Sequence, residues 1–401
     1  MLEVSGIRIP LSKLDGTDAQ EIRACRRALA RRLRISEKDI VCVERRRRSI
    51  DARKRDNIQL AFTLRAELAP GARPRLEKNA RTVDETPFHF PTPMAHRAGR
   101  PVVVGAGCAG LFCALSLARA GLEPLLVERG DDASRRSDAV RRHDETGELD
   151  PESNIQFGVG GAGTFSDGKL QTGTKSPAHR LILETFAEAG AQRQILWDAK
   201  PHIGSDVLPR VVTDIVRQIE EAGGEVRTRC RMSDLDVTDG RVRGVTLITT
   251  DPDGSEREER IAADCVVLAC GHSARDVFEL LRERGVTMER KTFAMGVRIE
   301  HLQADIDRAL YGSAAGHPAL GAAPYSLSCH LPSGRSAFSF CMCPGGYVVS
   351  AASETGGVCT NGMSLSDRAG ANANSGLLAN VFPDDLPGDD VLAGVTLQRS
   401  C

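Results

Sequence analysis

The sequence predicts an α/β protein whose central unit is built on a parallel β-sheet. Two observations predict this class. A short β-branched stretch, Val102–Val104, runs into a turn rich in glycine and then into an apolar helical stretch at residues 111–120. A second apolar stretch, EPLLVER, follows Gly121 and ends on charged residues. Strand, helix and strand in this order form the unit from which parallel sheets are assembled.

Composition narrows the class of function. A chain of 401 residues is long enough for two or three hydrophobic cores. The formal net charge of −1 gives no reason to expect nucleic acid or an anionic membrane as the main partner, so a small-molecule substrate is expected. The twelve cysteines include no CxxC pair, which predicts neither a structural metal site nor a disulfide framework. The N-terminus lacks the features of a secretory signal, and we expect a cytoplasmic protein.

Changes in sequence pattern along the chain predict the domain boundaries. Residues 1–68 read as a small α/β domain with strands EVSGIRIPL and IQLAFTLRAEL and a helix at residues 19–33. Residues 69–100, rich in Pro, Arg and Gly, read as a linker. The main domain is expected at 101–290 and a further domain at 291–401.

A basic run extends from Arg45 to Arg55 within the first domain. Clustered arginines could neutralise the phosphates of RNA. The run contains no aromatic residue that could stack on bases, so a solvated basic face is the favoured interpretation. Nucleic-acid binding stays open as the alternative.

The turn after Val102–Val104 has the spacing GxGxxG, at Gly105, Gly107 and Gly110. The first glycine permits a sharp turn, the second lets a diphosphate approach the backbone, and the third lets the helix pack close to the strand. The free N–H groups of the helix, around Ala109, would then face the phosphates. A membrane-spanning helix, the alternative for so apolar a stretch, would have to bury these glycines in lipid.

Glu128 ends the second strand at about the offset where a carboxylate accepts hydrogen bonds from an adenosine ribose, roughly twenty residues on. Arg129 follows it directly. The strand, the turn, the helix and this acid together predict dinucleotide binding.

The later sequence favours FAD over NAD as the dinucleotide. A helix ending at Gly223 and Gly224 precedes a strand, a hairpin with a DPDG turn, and a very apolar strand. This order resembles two-domain flavoproteins of the glutathione-reductase type. The resemblance implies a Rossmann-type FAD-binding domain, with a doubly wound parallel sheet, an antiparallel hairpin crossover and an inserted α+β second domain. It places Met232 beside the adenine, and Cys270 and Gly271 near the diphosphate.

A glycine-rich segment, NIQFGVGGAGTFSDGKL at residues 154–170, is predicted to hold phosphate or flavin oxygens through inward-pointing N–H groups. A flexible surface loop is disfavoured, because Phe157 and Phe165 would have to be exposed in it. The candidate binding residues within it are Gly160, Gly161, Gly163, Thr164, Asp167 and Gly168.

This segment, together with GVRIEH, FCMCPGGYVVSAASETGG and TNGMSLSDRAGANAN, resembles a bacterial family of uncharacterised FAD-dependent dehydrogenases along nearly the whole chain. The resemblance implies fold and cofactor but no substrate. Members of that family continue further, into a glycine-rich segment that closes over the flavin. We therefore interpret this chain as shortened at its C-terminus, which would affect flavin affinity and activity.

Two sets of residues are candidates for catalysis. His301 could act as an acid or base near neutral pH, or could be structural. Cys341 and Cys343 form a CxC pair, which could be a redox dithiol with electrons passing between flavin and sulfur. Because a bridge across one residue strains the geometry, two small buried side chains are the favoured interpretation.

The sequence thus predicts an FAD-dependent oxidoreductase that moves a hydride between flavin N5 and a small molecule or NAD(P)H. No second GxGxxG cradle is present for NAD(P)H, which would act as a transient reductant. An RNA-associated flavoprotein and a non-catalytic flavin-binding regulator are the alternatives.

Overall fold

The computed structural model describes residues 1–76, 78–84, 88 and 99–401. The N-terminal unit is a four-stranded antiparallel sheet in the order β2-β3-β1-β4 with one helix against it. Its elements are β1 (Leu2–Pro10), α1 (Asp18–Leu33), β2 (Ile40–Asp51), β3 (Gln59–Leu68) and β4 (Ala80–Thr82). Helix α1 begins where the Thr17 side chain accepts from Gln20 N–H, and it ends at Arg34 in the left-handed conformation.

Two features of this unit differ from the sequence-based expectation. β4 lies inside the segment predicted as a linker and pairs with β1. The hydrophobic core under the sheet also includes Tyr311, Leu320 and Ala323, which lie far from the N-terminal unit in the sequence. The N-terminal unit therefore shares its core with the third part of the chain, a non-local contact that local sequence patterns do not reveal.

Most of the basic run forms β2, and the interpretation as a solvated face holds for only part of it: Arg47, Arg53, Lys54 and Arg55 are exposed, whereas Arg45 and Arg48 are not. Arg45 is buried and donates to Glu21 at 2.6 Å and to Asp18 at 2.5 Å. Arg48 donates to the other Glu21 oxygen at 2.9 Å. The Arg45 guanidinium also lies 4.1 Å from the ring centroid of Trp197. These two arginines join the N-terminal sheet to α1 and to the middle of the chain.

Replacing Arg45 with alanine is expected to destabilise the chain by about 3 kcal/mol, because Glu21 would stay buried with one oxygen unpaired. Urea unfolding followed by the fluorescence of Trp197, the one tryptophan, measures this at the contact itself. Arg53→Ala is the control from the same run, since Arg53 is exposed and pairs only with Asp51 among the contacts that the structure gives. Equal midpoints for the two variants would refute the buried ion pair.

The middle unit contains a parallel sheet in the order β11-β5-β6-β7 and a three-stranded antiparallel sheet in the order β10-β9-β8. Its elements are β5 (Val102–Val104), α2 (Cys108–Arg119), β6 (Leu125–Val127), α3 (Ala133–Thr146), α4 (Ala178–Glu188), α5 (Leu208–Glu221), β7 (Glu225–Arg227), β8 (Cys230–Thr238), β9 (Arg241–Thr250), β10 (Glu256–Ala262), β11 (Val266–Leu268) and α6 (Arg275–Glu283).

The two central strands of the parallel sheet, β5 and β6, are buried on both faces, as their unbroken apolar sequences predict. Val103 and Leu126 face a helical layer that includes α2 and α5. Val102 and Leu125 face the antiparallel sheet, which packs through residues such as Leu247. The second face is thus covered largely by the hairpin crossover rather than by a full layer of helices.

The third unit is a four-stranded antiparallel sheet in the order β12-β17-β14-β13 with a two-stranded ribbon, β15-β16. Its elements are β12 (Phe293–Leu302), α7 (Gln303–Tyr311), β13 (Ser328–His330), β14 (Ser336–Cys343), β15 (Gly346–Ser350), β16 (Thr360–Ser364), β17 (Asn372–Val381) and α8 (Ala393–Ser400). Within the described part of the chain, none of the helices combines the length and apolarity needed to cross a membrane.

Candidate functional site

A cavity of about 270 Å³ opens at the carboxyl edge of the parallel sheet, where α/β proteins bind their ligands. Its wall combines the turn after β5, the end of β6, the glycine-rich loop and the turn after β11. The predicted cofactor-binding residues that line it are Gly105, Gly107, Ala109, Glu128, Arg129, Gly160, Gly161, Gly163, Met232, Cys270 and Gly271.

The glycine turn brings the backbone to the cavity. Gly105 has φ +100°, and a β-carbon there would lie 2.5 Å from the Ala269 carbonyl oxygen. Gly110 lies behind the cavity, where a β-carbon would collide with the Gly105 carbonyl oxygen. Helix α2 has Gly107 as its N-cap residue and therefore no side-chain cap, and Cys108 and Ala109 at its start line the cavity. The open amides of the first helical turn can therefore meet an anion.

The Glu128 carboxylate is buried at the cavity wall and fixed by three backbone N–H groups. One oxygen accepts from Gly130 N–H and Gly158 N–H, both at 2.9 Å. The other oxygen accepts only from Ala106 N–H, at 2.7 Å. Because each carboxylate oxygen has two lone pairs, this second oxygen keeps one acceptor position for a ligand hydroxyl.

The glycine-rich loop is held in place by Arg136 on α3, which sequence analysis did not identify. The Arg136 side chain is fully buried and donates to five carbonyl oxygens, at distances of 2.9–3.3 Å. Those carbonyls belong to Asn154, Ile155, Gly158, Val159 and Gly161. The guanidinium also lies 4.9 Å from the Phe165 ring centroid. One side chain thus fixes the backbone that forms one wall of the cavity.

Burial lowers the pKa of Arg136 to about 10, while the charge of Glu128 raises it. The group still carries its proton at neutral pH. Its hydrogen-bond partners are all neutral carbonyls, so the charge of Arg136 is offset by the Glu128 carboxylate in the cavity wall and not by a partner within the loop.

Three predicted residues of the loop lie outside the cavity lining. Thr164 is buried, and its hydroxyl has no hydrogen-bond partner among the described residues. Gly168 packs beside Leu208.

Asp167 is fully buried, pairs with Lys169 at 3.2 Å and accepts from Arg368 at 2.8 Å. Burial alone would raise the pKa of Asp167, but the Arg368 hydrogen bond and the Lys169 charge bring it below its usual range.

The two catalytic candidates lie in the third unit, outside the lining of this cavity. The His301 ring lies 5.5 Å from the ring of Tyr325, and its Nε2 atom is buried without a partner in the described part of the chain. Cys343 is fully buried at the end of β14, with its sulfur 3.6 Å from Lys169 Nζ.

Gln156, His272 and Asp276 also line the cavity and were not singled out from the sequence. Arg129 donates to Asp276 at 3.0 Å and lies 4.4 Å from the Phe157 ring centroid. The stretch ACGHSARDVF could have identified His272 and Asp276 from the sequence. It begins directly after β11, contains a glycine, and continues into α6. It repeats the order of strand, glycine and helix seen at the first turn.

A second cavity, of about 790 Å³, lies between the N-terminal unit and the rest of the chain. Its lining includes Arg45, Trp197, Asp198 and Arg368. Burial raises the pKa of Asp198 to about 6, against the charge of Arg48, which lowers it. The folded chain therefore holds a proton on Asp198 between about pH 4 and pH 6, where the unfolded chain has lost it.

This shift predicts a pH dependence of stability. Protonated Asp198 contributes to the free energy of unfolding. This contribution is complete below the pKa that Asp198 has in the unfolded chain, and it is lost as the pH rises through about 6. Asp198→Asn is expected to flatten this part of the profile and to stabilise the chain above pH 6 by about 1–3 kcal/mol. Trp197 fluorescence in urea at a series of pH values measures the effect, with exposed Asp56→Asn as the control. A profile unchanged by Asp198→Asn would show that Asp198 is already ionised at pH 4.

Among the described residues, no cluster of three or more His, Cys, Asp or Glu side chains is arranged to hold a metal ion.

Four family models match parts of the chain. Residues 1–67 match a domain of unknown function, and residues 103–163 match an NAD(P)-binding Rossmann-like domain. Residues 208–322 match the FAD dependent oxidoreductase model, and residues 292–401 match the C-terminal domain of FAD-dependent proteins.

A curated relative and two solved structures illustrate the similarity. An uncharacterised protein of Clostridium beijerinckii is 38% identical over 384 residues, covering 94% of this chain and 70% of the relative. THI4 of Thermovibrio ammonificans is 20% identical, with a TM-score of 0.33, over 53% of this chain and 70% of that one. Glycerol-3-phosphate dehydrogenase of Bacillus halodurans, complexed with FAD, is 13% identical, with a TM-score of 0.34, over 74% of this chain and 50% of that one. By its relative and its family models, the chain belongs to the FAD-dependent oxidoreductase family.

Proposed function

We propose that the chain binds FAD with its adenosine diphosphate half in the smaller cavity and acts as a dehydrogenase of a small molecule. The observation that carries this proposal is the Glu128 carboxylate, which has one open acceptor position beside the uncapped start of α2. Bound FAD supplies hydride chemistry at flavin N5. A small-molecule substrate, or NAD(P)H as a transient reductant, would be the partner in that transfer.

The residues of the cavity fit the adenosine half of FAD. Glu128 would accept a ribose hydroxyl at its open position, because the other three acceptor positions are already filled by backbone N–H groups. Phe157, Met232 and Val277 give the cavity apolar surface for an adenine ring.

The backbone around the glycine turn fits the diphosphate. The amides at the start of α2 are uncapped, and the loop at Gly160 and Gly161 lies directly opposite, where Gly160 N–H donates to the Ala106 carbonyl at 2.8 Å. Contrary to the predicted inward-pointing N–H groups of the loop, the Gly160 and Gly161 amides donate to the Ala106 and Gly158 carbonyls. The backbone donors for an anion are therefore the uncapped amides at the start of α2.

Gly107→Ala tests this arrangement without disturbing the fold. A β-carbon on Gly107 would make only an ordinary contact, 3.8 Å from Gly161 Cα, and the φ of −71° suits any residue. We expect FAD to bind about 10–100-fold more weakly because a diphosphate could no longer approach the backbone closely. The urea midpoint should not change. Gly173→Ala, at an exposed and uncrowded position, is the control. Wild-type affinity in Gly107→Ala would place the diphosphate elsewhere.

Anaerobic reduction of the bound flavin tests the proposed reaction. The FAD-loaded protein is mixed with NADH, NADPH and a panel of small-molecule donors, and flavin absorbance is followed. Bleaching by one donor class at a rate that saturates with donor concentration is the expected result. Flavin that binds but is reduced by none of these donors would favour a non-catalytic flavin-binding regulator.

A further inference from the structure

Two thiols and an ammonium group meet beside the glycine-rich loop. Lys169 Nζ lies 3.6 Å from the Cys343 sulfur and 3.9 Å from the Cys341 sulfur. The Lys169 head group is itself positioned by buried Asp167, at 3.2 Å, and Arg368 donates to both oxygens of that carboxylate. Neutral thiols are weak hydrogen-bond acceptors, so a partly buried cation placed on two sulfurs points to a negatively charged sulfur.

The backbone at Cys341 is irregular. The register of β14 against β17 shifts between Phe340 and Cys343, which inserts one extra residue into β14. Cys341 has φ +47°, a left-handed conformation that costs free energy for a residue with a β-carbon. Such strain persists where the surrounding structure imposes it, and it occurs often at functional sites.

The two cysteines have different surroundings. Cys341 is partly exposed, whereas Cys343 is fully buried. A hydrogen bond from Cys343 lowers the pKa of Cys341 to about 6; Lys169 and Arg298 lower it further, against burial and the charge of Asp167. The hydrogen bond to Cys341 and burial raise the pKa of Cys343. An accessible thiolate beside a buried thiol is the arrangement of an attacking and a resolving cysteine.

A buried amide next to the pair has an unused donor. Asn374 is fully buried and lies opposite Cys343 in the pairing of β14 with β17. Its Oδ1 accepts from Arg298 at 2.6 Å, while its Nδ2 has no partner among the described residues. The strand that pairs with the second cysteine therefore carries a buried amide donor whose hydrogen bond is not made within the described part of the chain.

We propose that Cys341 and Cys343 are a redox-active dithiol that exchanges two electrons with the bound flavin. In the oxidising direction the two sulfur atoms form a bond, and the Cys343 thiol loses its proton. The electron pair and that proton pass to the oxidised flavin; the reverse step reduces the disulfide. This inference rests on the proposed function, because FAD is the two-electron partner.

One observation favours the flavin as the electron partner of the two cysteines, and a second favours a disulfide that is easily reduced. Lys169 belongs to the same loop as Gly160 and Gly161 of the cofactor cavity, so one segment contacts both sites. A disulfide across a single intervening residue is strained, and strained disulfides are readily reduced. The pair is therefore suited to cycling and not to a permanent cross-link.

The first test needs no flavin and leaves both cysteines of the pair in place. The purified protein is equilibrated anaerobically in a series of glutathione buffers, alkylated, and mapped by peptide mass spectrometry. We expect a disulfide between Cys341 and Cys343 whose fraction rises from low to high across the series. Cys359→Ser, at an exposed cysteine, should leave that fraction unchanged. Cys341 and Cys343 found reduced in every buffer would overturn the proposal.

The second test counts electrons. Oxidised FAD-loaded protein is titrated anaerobically with dithionite, and wild type should take up about four electrons per flavin, two for the flavin and two for the disulfide. Cys341→Ser and Cys343→Ser should each take up about two. Wild type that takes up only two after the glutathione series has shown the disulfide would overturn the exchange with flavin. If the protein never acquires flavin absorbance, the proposed function is refuted instead. The flavin is then excluded as the electron partner of the dithiol, while the result of the glutathione series is unaffected.

A third measurement separates Lys169 from a merely structural role. The rate of Cys341 alkylation by iodoacetamide is measured against pH in wild type and Lys169→Met. We expect the midpoint of this profile to rise in the variant, because a cation that stabilises the thiolate is lost. Identical profiles would show that Lys169 does not stabilise a thiolate.

Discussion

Glu128→Ala is expected to abolish FAD binding and to destabilise the chain by about 3–6 kcal/mol, because three buried N–H groups lose their acceptor. Those donors belong to Ala106, Gly130 and Gly158, and they come from three different segments around the cavity. In the proposed complex the carboxylate has two roles: it ties these segments together, and it offers one acceptor position to a ribose. Urea unfolding and FAD titration measure the two effects separately.

Glu128→Gln separates the roles. The amide keeps one acceptor oxygen but presents an NH₂ group where a carboxylate oxygen accepted, so the loss of stability should be smaller than in Glu128→Ala. FAD affinity should still fall. Glu148→Ala, at an exposed glutamate, should change neither quantity. FAD affinity in Glu128→Gln equal to that of wild type would mean that no ribose contacts this carboxylate.

Arg136→Ala is the second large effect that the structure predicts. Five carbonyls of the glycine-rich loop would lose their donor, and a cavity would replace a fully buried side chain. We expect a loss of about 4–5 kcal/mol and cleavage of residues 154–163 by proteases that leave the wild-type chain intact. FAD binding should weaken with it, because this loop forms one wall of the cavity.

Arg136→Lys should give an intermediate result, since lysine keeps the charge but has three donors and no planar fork. The neighbouring variant Arg135→Ala is the control: Arg135 is exposed and pairs only with Asp132 among the described contacts. A loop that resists proteolysis in Arg136→Ala would show that its conformation does not depend on this side chain.

Much of the lining of the smaller cavity could be predicted from the sequence because its pattern is local. Gly105, Gly107 and Gly110 are needed by one turn, and Glu128 lies at a fixed offset along one strand-helix-strand unit. The mixed α/β class follows from the same unit. The hairpin of β9 and β10 was predicted from its DPDG turn.

What the sequence did not reveal depends on distant partners. The basic run was interpreted as a solvated face because Glu21, the partner of Arg45 and Arg48, lies on another element. Arg136 was missed because its partners are backbone carbonyls, which leave no trace in side-chain patterns. The cation beside Cys341 and Cys343 comes from a loop more than 170 residues earlier. In each case tertiary packing outweighed the local pattern.

The most direct measurement of the central claim is a calorimetric titration of the chain with FAD, repeated in excess ADP. If the glycine turn and Glu128 hold an adenosine diphosphate, one FAD should bind per chain, and ADP should compete with it. FAD binding that ADP does not affect, or no binding of FAD at all, would contradict the account.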